Sequence, residues 1–110
     1  QPANEPDTLP AVDFSMRDLR ISPRQLRAYR QDETIDLSLR EVKILTLLFR
    51  SAGQVVDRNT MMNCAWNHDY LPTSRTLDQH ISQLRKRVER DPKQPEIIQT
   101  VHGVGYRYEP

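Results

Sequence analysis

The fold is decided by the stretch RTLDQHISQLRKRVERDP, residues 75–92. Its apolar side chains recur four, three and four residues apart, which is the spacing of one face of an α-helix. These residues are Leu77, Ile81, Leu84 and Val88. The opposite face is polar and basic, and consists of Arg75, Gln79, Ser82, Gln83 and Lys86. A helix that packs through one side and presents amides and cations on the other suits a DNA major groove.

A β-hairpin is predicted directly after this helix. The helix begins near Ser74 and ends no later than the residue before Pro92, because proline disfavours the helical conformation of the residue that precedes it. The segment IIQTVHGVGYRY, residues 97–108, is rich in β-branched and aromatic residues, which favours strands. Gly103 and Gly105 interrupt it, and we expect both to take a positive φ in a tight turn.

Short strands are predicted before the helices. From Asp13 to Leu37, apolar and polar residues alternate in runs that Pro23 and the polar residues 31–33 interrupt. This pattern indicates three or four antiparallel strands joined by tight turns. The alternating pairs are Leu19 and Ile21, Leu26 and Ala28, and Ile35 and Leu37.

Two further helices are predicted between these strands and residue 75. The sequence SLRE at residues 38–41 is a capping box that begins the first helix, and Gly53 is its predicted C-cap. Residues 54–56 form an extended link, and Asp57 can cap the second helix. The apolar residues of the second helix are Met61, Met62, Ala65 and Trp66. A polar loop then spans residues 67–73.

The order of elements predicts an α+β fold. Short strands, three helices and a hairpin describe a winged helix-turn-helix with an N-terminal antiparallel sheet and a C-terminal β-hairpin wing. We assign this domain to residues 13–110. Residues 1–12 are acidic and have proline at positions 2, 6 and 10, which favours an interdomain linker. A frayed terminus would fit their composition equally well.

Charge is concentrated where DNA contact is expected. The net charge is only +1, but residues 1–13 contain three carboxylates and no Lys or Arg, so the remaining residues carry +4. Residues 74–90 contain five Lys or Arg and two carboxylates, which gives +3. Such a run often serves only to solvate a helix face, so charge alone does not decide between solvation and DNA binding.

Several classes of protein do not fit the sequence. No apolar run approaches the roughly 18 residues that suggest a membrane span. The single cysteine, Cys64, cannot form an internal disulfide, which fits the cytoplasm. Cys64 and His68 lie one helical turn apart, but two ligands make a poor metal site, so we expect no metal and no cofactor. No phosphate-binding glycine loop, nucleophile elbow or catalytic carboxylate pair is recognisable, so we expect no enzyme.

Five motifs, in order, make residues 14–109 closely resemble the OmpR/PhoB-type effector domain of bacterial response regulators. The motifs are Leu37–Ser38 with Glu41, Leu47–Leu48, VVDR at 55–58 followed by Trp66 and Asp69–Tyr70, RTLDQHISQLRKR at 75–87, and TVHGVGYRY at 100–108. The resemblance implies a DNA-reading third helix, a wing, and an upstream phosphoacceptor receiver domain that this chain lacks. It also implies a domain that is monomeric alone and binds direct-repeat half-sites as a tandem dimer in the bacterial cytoplasm.

The sequence departs from the family pattern at several positions. Val42 stands where the family usually has Phe, and residues 31–33 replace a common glycine turn. Basic residues are usual in the family where this chain has Ser82, Gln83 and, at the wing tip, His102. Direct readout is therefore expected to depend on amides and a hydroxyl rather than on arginine.

Four residues of the third helix are candidates for reading bases. Gln79 and Gln83 lie one turn apart, and glutamine pairs with adenine through N6 and N7. Ser82 can bond to a base or a phosphate. Asp78 can accept a hydrogen bond from cytosine N4, or instead orient Arg75 three residues earlier.

A second group of residues is expected to contact phosphates or the minor groove. Cations at Arg75, Arg85 and Lys86 are the principal phosphate candidates, and the resemblance adds His80. Packing is the alternative for His80. Trp66 is expected to pack in the core, although its indole N–H could reach a phosphate, and the Tyr106 hydroxyl could reach one as well. The wing candidates are Thr100, His102 and Arg107. By resemblance, Asp69 and Tyr70 in the polar loop contact RNA polymerase.

These features predict the DNA-binding output domain of a response-regulator transcription factor. The third helix would lie in the major groove and the wing near the minor groove. A winged helix used only for protein interaction is the alternative, because the net charge is modest and residues 82 and 83 are not basic.

Overall fold

An antiparallel four-stranded sheet opens the domain. The computed structural model describes residues 12–66 and 73–110, without the side chain of Ser74. The strands pair in sequence order, so the prediction of three or four short strands is confirmed. They are β1 (Phe14–Met16), β2 (Leu19–Ser22), β3 (Arg27–Arg30) and β4 (Glu33–Asp36). Leu26 was expected in a strand but lies in the β2–β3 turn with a φ of 55°, because the strands reverse there.

The first helix, α1 (Leu39–Arg50), begins as predicted but ends early. Ser38 N–H donates to Glu41 Oε1 at 2.8 Å and Glu41 N–H donates to Ser38 Oγ at 3.1 Å, which completes the capping box. The C-cap is Ser51 rather than Gly53. Gly53 takes a φ of 83° and donates its N–H to the carbonyl of Tyr108 at 2.8 Å. This bond to the C-terminal segment draws the chain out of the helix.

The second helix, α2 (Arg58–Ala65), is capped by Asp57. Thr60 N–H donates to Asp57 Oδ1 at 2.7 Å, and hydrogen bonds from Thr60 lower the pKa of this carboxyl below its ordinary value. The link before the helix is more than the extended segment that the sequence predicted. It contains β5 (Val56–Asp57), a strand of the C-terminal sheet.

The wing belongs to a three-stranded sheet. Its hairpin consists of β6 (Gln99–Val101) and β7 (Gly105–Arg107), and the strand order is β5-β7-β6. Val56 aligns with Tyr106 and Asp57 with Gly105 across the β5–β7 pair. The wing is therefore fixed to β5, the strand that leads into α2. The sequence predicted only the two strands of the hairpin and not this third strand.

The two wing glycines are required for different reasons. Gly103 has a φ of 80° and supplies the turn, as predicted. Gly105 has no positive φ, so that part of the prediction is wrong. A Cβ at Gly105 would lie 2.1 Å from the carbonyl oxygen of Val56. Close approach of β5 therefore excludes a side chain there.

The third helix, α3 (Ser74–Val88), is anchored in the core. Thr73 caps it by accepting a hydrogen bond from Thr76 N–H at 3.2 Å. Its four predicted core residues are fully buried: Leu77, Ile81, Leu84 and Val88. They join apolar side chains from β2, α1, α2 and the segment before β6, among them Leu19, Ile21, Leu45, Leu48, Met61, Ile97 and Ile98. Within the described ranges, no helix combines the length and apolar character needed to cross a bilayer.

Candidate nucleic-acid interface

The side of α3 opposite the core faces solvent. Gln79, Ser82 and Gln83 are exposed. Together with the half-buried His80, they line an open pocket with a volume of about 380 Å³. Because the apolar face is fully buried, the helix cannot rotate these amides inward without exposing its leucines. The predicted division of faces is confirmed, and the amides lie where a large polar partner can reach them.

Two cations flank these polar side chains. Arg75 in the first turn and Lys86 near the end of α3 are both exposed, and neither has an ion-pair partner among residues 12–66 and 73–110. Arg75 also lies beside the N–H groups of the helix N-terminus, which favour an anion. Both cations are therefore accessible to an anionic partner.

The last two arginines of this region bind to the protein itself. Arg87 donates to Glu41 Oε1 at 3.0 Å and to the carbonyl of Asp36 at 2.8 Å. Arg90 pairs with Asp18 in the turn after β1. These contacts hold α3 against the N-terminal sheet and the start of α1.

Asp18 joins two arginines beneath the C-terminal end of α3. Arg30 Nε lies 3.0 Å from Asp18 Oδ2, and Arg30 Nη2 donates to the carbonyl of Val88 at 2.6 Å. Burial raises the pKa of Asp18, but hydrogen bonds from Arg90 and Arg30 outweigh it, so the net pKa is lowered. The positive charge at this end of the helix is thus partly neutralised within the protein.

Arg85 has a different role from the phosphate contact that the sequence suggested. Its Nε and Nη2 donate to the carbonyl of Ile98 at 3.0 and 2.7 Å, and Nη2 also donates to Thr100 Oγ1 at 2.7 Å. The physical reason is its place on the side of α3 that faces β6, where the Ile98 carbonyl accepts both donors. Arg85 is therefore bound to the wing.

Asp78 and Tyr106 also bind each other, although the Asp78 side chain stays 44% exposed. The Tyr106 side chain is buried, and its hydroxyl donates to Asp78 Oδ1. Arg58 Nε donates to the same oxygen at 3.2 Å, so the cation paired with Asp78 is Arg58 rather than Arg75. Burial, followed by the Asp78 hydrogen bond and charge, raises the pKa of Tyr106 to about 12. The Tyr106 hydroxyl, which was expected to reach a phosphate, donates its hydrogen to Asp78 instead.

Trp66 packs in the core, as expected from the sequence. It is only 6% exposed, and the Arg40 guanidinium carbon lies 4.5 Å from its ring centroid. The His80 ring meets it edge-on at 5.1 Å between centroids. His80 thus packs on one side and borders the exposed amides on the other, so a phosphate contact from its outer edge stays a prediction.

Two residues predicted to contact the minor groove are exposed on the wing, one in its first strand and one at its tip. Thr100 is exposed and accepts from Arg85, while His102 is exposed in the turn. Val104, close to it in the turn, is 47% exposed. Arg107 is half-buried on β7, with its Nε 3.7 Å from Glu109 Oε2. Asp69 and Tyr70 of the predicted polymerase-contact loop lie outside the described residues.

One important carboxylate was not identified from the sequence. Glu89, the C-cap of α3, is 6% exposed and accepts hydrogen bonds from three consecutive backbone N–H groups, those of Glu96, Ile97 and Ile98. Its spacing of eleven and four residues from Asp78 and Arg85 could have indicated a shared helix face.

The fold and the exposed helix face together define a winged helix-turn-helix domain with a candidate nucleic-acid interface. The chain belongs to the family described as "Transcriptional regulatory protein, C terminal", whose model matches residues 32–108. The earlier resemblance to OmpR/PhoB-type effector domains is thereby confirmed.

Individual relatives agree with this assignment. The chain is 36% identical over 92 residues to the alkaline phosphatase synthesis transcriptional regulatory protein PhoP of Bacillus subtilis, covering 84% of this chain and 38% of PhoP. The response regulator DrrB of Thermotoga maritima, an OmpR/PhoB homologue, superimposes with a TM-score of 0.78 at 31% identity, covering 89% of this chain and 44% of DrrB. The chain thus spans less than half the length of either relative.

A DNA complex is also among the similar structures. The DNA-binding domain of Klebsiella pneumoniae RstA, solved in complex with the RstA box, superimposes with a TM-score of 0.74 at 29% identity. The match covers 88% of this chain and 96% of the RstA domain.

Proposed function

We propose that this chain binds double-stranded DNA sequence-specifically, as the output domain of a two-component response regulator. The observation that carries the proposal is the exposed face of α3, where Gln79, Ser82 and Gln83 project from a helix whose other side is fully buried. A rigid helix with amides on its outer face fits the width and hydrogen-bonding pattern of the major groove.

Phosphate contacts would set the position of the domain on the duplex. Arg75 and Lys86 flank the amides, so each can bind a backbone phosphate while the residues between them reach base edges. His80 would add a contact from the half-buried margin of the same surface. The wing would approach the minor groove, with His102 and Thr100 nearest to it.

One domain offers few base contacts, so two copies would be needed for useful affinity. We propose tandem binding to direct-repeat half-sites in the bacterial cytoplasm. A receiver domain in the full-length regulator would raise the effective concentration of the second copy. RNA polymerase would be contacted through the loop containing Asp69 and Tyr70. Accordingly, the isolated domain should bind a single half-site weakly.

A protein-interaction module is the second candidate. It is favoured by the internal use of Arg85, Arg87 and Arg90, which leaves fewer cations for DNA than the sequence suggested. Such a module would show no dependence on duplex sequence.

A titration separates the two candidates. Duplexes enriched by the domain from a random pool would be labelled, and binding would be followed by fluorescence anisotropy at two or more salt concentrations. A DNA-binding domain should saturate, and the logarithm of its affinity should fall linearly with the logarithm of salt concentration, because phosphate contacts release counterions. No enrichment and no saturable binding would favour the interaction module.

A further inference from the structure

The third helix has a third face, distinct from its core face and its exposed face. Asp78, Arg85 and Glu89 are spaced seven and four residues apart, so they lie along one side of the helix. Each binds the segment that carries the wing: Asp78 binds Tyr106 on β7, Arg85 binds Ile98 and Thr100, and Glu89 binds the N–H groups of residues 96–98.

These three contacts hold the wing along most of the length of α3. Eleven residues separate Asp78 from Glu89, which corresponds to about 16 Å of helix. All three are hydrogen bonds that involve a charged group, the stronger class in proteins. The wing therefore cannot swing relative to α3 without breaking several of them, and the β5–β7 pairing restrains it from the other side.

Asp78 closes this arrangement at the N-terminal end of α3. Its Oδ1 accepts from both Tyr106 and Arg58, so it joins α3 to β7 and to the first residue of α2. The Arg58 and Arg85 guanidinium carbons also lie 5.7 and 5.5 Å from the Tyr106 ring centroid. If Asp78 turned Oδ1 towards a base, the Tyr106 hydroxyl would lose its acceptor, at the cost of an unsatisfied polar group.

We infer that Asp78 is a positioning residue and not a base-reading residue. Through Tyr106 and Arg58 it fixes the wing relative to the amide face of α3, so that the major-groove and minor-groove contacts are made at a set spacing. This inference rests on the proposed DNA binding. Asp78 is thereby no longer a candidate for reading bases, and the remaining candidates are Gln79, Ser82 and Gln83.

The two roles predict different consequences of substitution. A base reader affects preference at one base pair, and its partner on the wing is irrelevant to that preference. A positioning residue acts through its partner, so loss of the Tyr106 hydroxyl should reproduce the wing defect that loss of Asp78 produces. The combined loss should then be no worse than the loss of Asp78 alone.

The test uses the variants Asp78→Asn, Asp78→Ala, Tyr106→Phe and the double variant Asp78→Ala/Tyr106→Phe, with Asp32→Asn in the exposed β3–β4 turn as the control. Three quantities would be measured on the enriched duplex: affinity, base preference by competition with every single-base-pair substitution, and minor-groove protection by hydroxyl-radical footprinting. Thermal unfolding would confirm that each variant is folded.

Tyr106→Phe removes one charge-assisted hydrogen bond and should lower affinity by about tenfold. Asp78→Ala also removes the bond from Arg58 and should lower affinity by at least as much. Both should weaken wing protection, leave the ranking of base pairs unchanged and combine non-additively. Asp78→Asn retains an acceptor for Tyr106 and should restore most of the wing footprint. The control should behave as the original chain.

The inference is overturned if Asp78→Asn changes preference at one base pair while Tyr106→Phe leaves affinity and footprint intact, or if the two losses are additive. Should Asp78→Ala fail to fold, Asp78→Asn and Tyr106→Phe still distinguish the two roles. Failure of the proposed function is a different result, in which the unsubstituted domain itself shows no saturable, salt-dependent binding.

Discussion

Arg85 donates two hydrogen bonds to the carbonyl oxygen of Ile98, at 3.0 and 2.7 Å, whereas its neighbour Lys86 extends into solvent. Two adjacent cations on one helix thus have separate tasks. The first holds the wing, and the second is free of ion-pair partners in the described part of the chain. The direction of a residue around α3, rather than its charge, decides which task it has.

Substituting these neighbours should separate stability from DNA binding. Arg85→Ala leaves the Ile98 carbonyl without its donor and should lower the free energy of unfolding by about 1–3 kcal/mol. Lys86→Ala should change it by less than about 0.5 kcal/mol. Urea denaturation measures both, and equal losses of stability in the two variants would contradict the assignment.

Loss of Arg75 should weaken binding to all duplexes alike. Its position in the first turn of α3 favours a phosphate contact, which carries no sequence information. We expect Arg75→Ala to reduce the slope of log affinity against log salt by about one and to leave base preference unaltered. A changed preference at one base pair would instead make Arg75 a base reader.

The buried carboxylate of Glu89 should be essential for the wing. Glu89→Gln keeps the size but replaces a charged acceptor of three N–H groups by a neutral amide with one acceptor oxygen. We expect a loss of about 1–3 kcal/mol in unfolding free energy and faster amide exchange in β6 and β7. Glu33→Gln, on the exposed strand β4 of the other sheet, is the matched control and should show neither effect.

Tyr106 should make the domain sensitive to alkaline pH. Its pKa is raised to about 12 in the folded state, against an ordinary value of 10.0. Above pH 10 the unfolded chain therefore loses this proton first, and stability falls as pH rises from about 10 towards 12. Tyr106→Phe removes this contribution. Urea midpoints between pH 8 and 11.5 should decline less steeply for Tyr106→Phe than for Tyr29→Phe, and parallel declines would contradict the shift.

Local signals predicted much of the fold. The capping box at Ser38, the Asp57 cap and the apolar spacing of α3 each depend on neighbours within a few residues, so the sequence displays them directly. The end of α1 was predicted too late because Gly53 bonds to Tyr108, a residue far away in sequence. Strand β5 was missed for the same reason, since two residues become a strand only through β7.

The site was predicted less completely than the fold. Exposure of Gln79, Ser82 and Gln83 follows from helical periodicity, so those positions were identified. The roles of Arg85 and Asp78 depend on the wing, whose placement periodicity does not encode. A charged residue at the margin of a helix face can turn towards solvent or towards a neighbouring strand, and only the tertiary structure decides between them.

The most direct test of the central claim is the base preference of Gln83→Ala. Sequences would be enriched from random duplexes with the original domain, Gln83→Ala and Lys86→Ala, and single-base-pair substitutions would then be compared by competition. We expect Gln83→Ala to abolish discrimination at one base pair, worth about 1–3 kcal/mol, whereas Lys86→Ala lowers affinity uniformly. Unchanged preferences in Gln83→Ala would show that the exposed face of α3 does not read DNA through this amide.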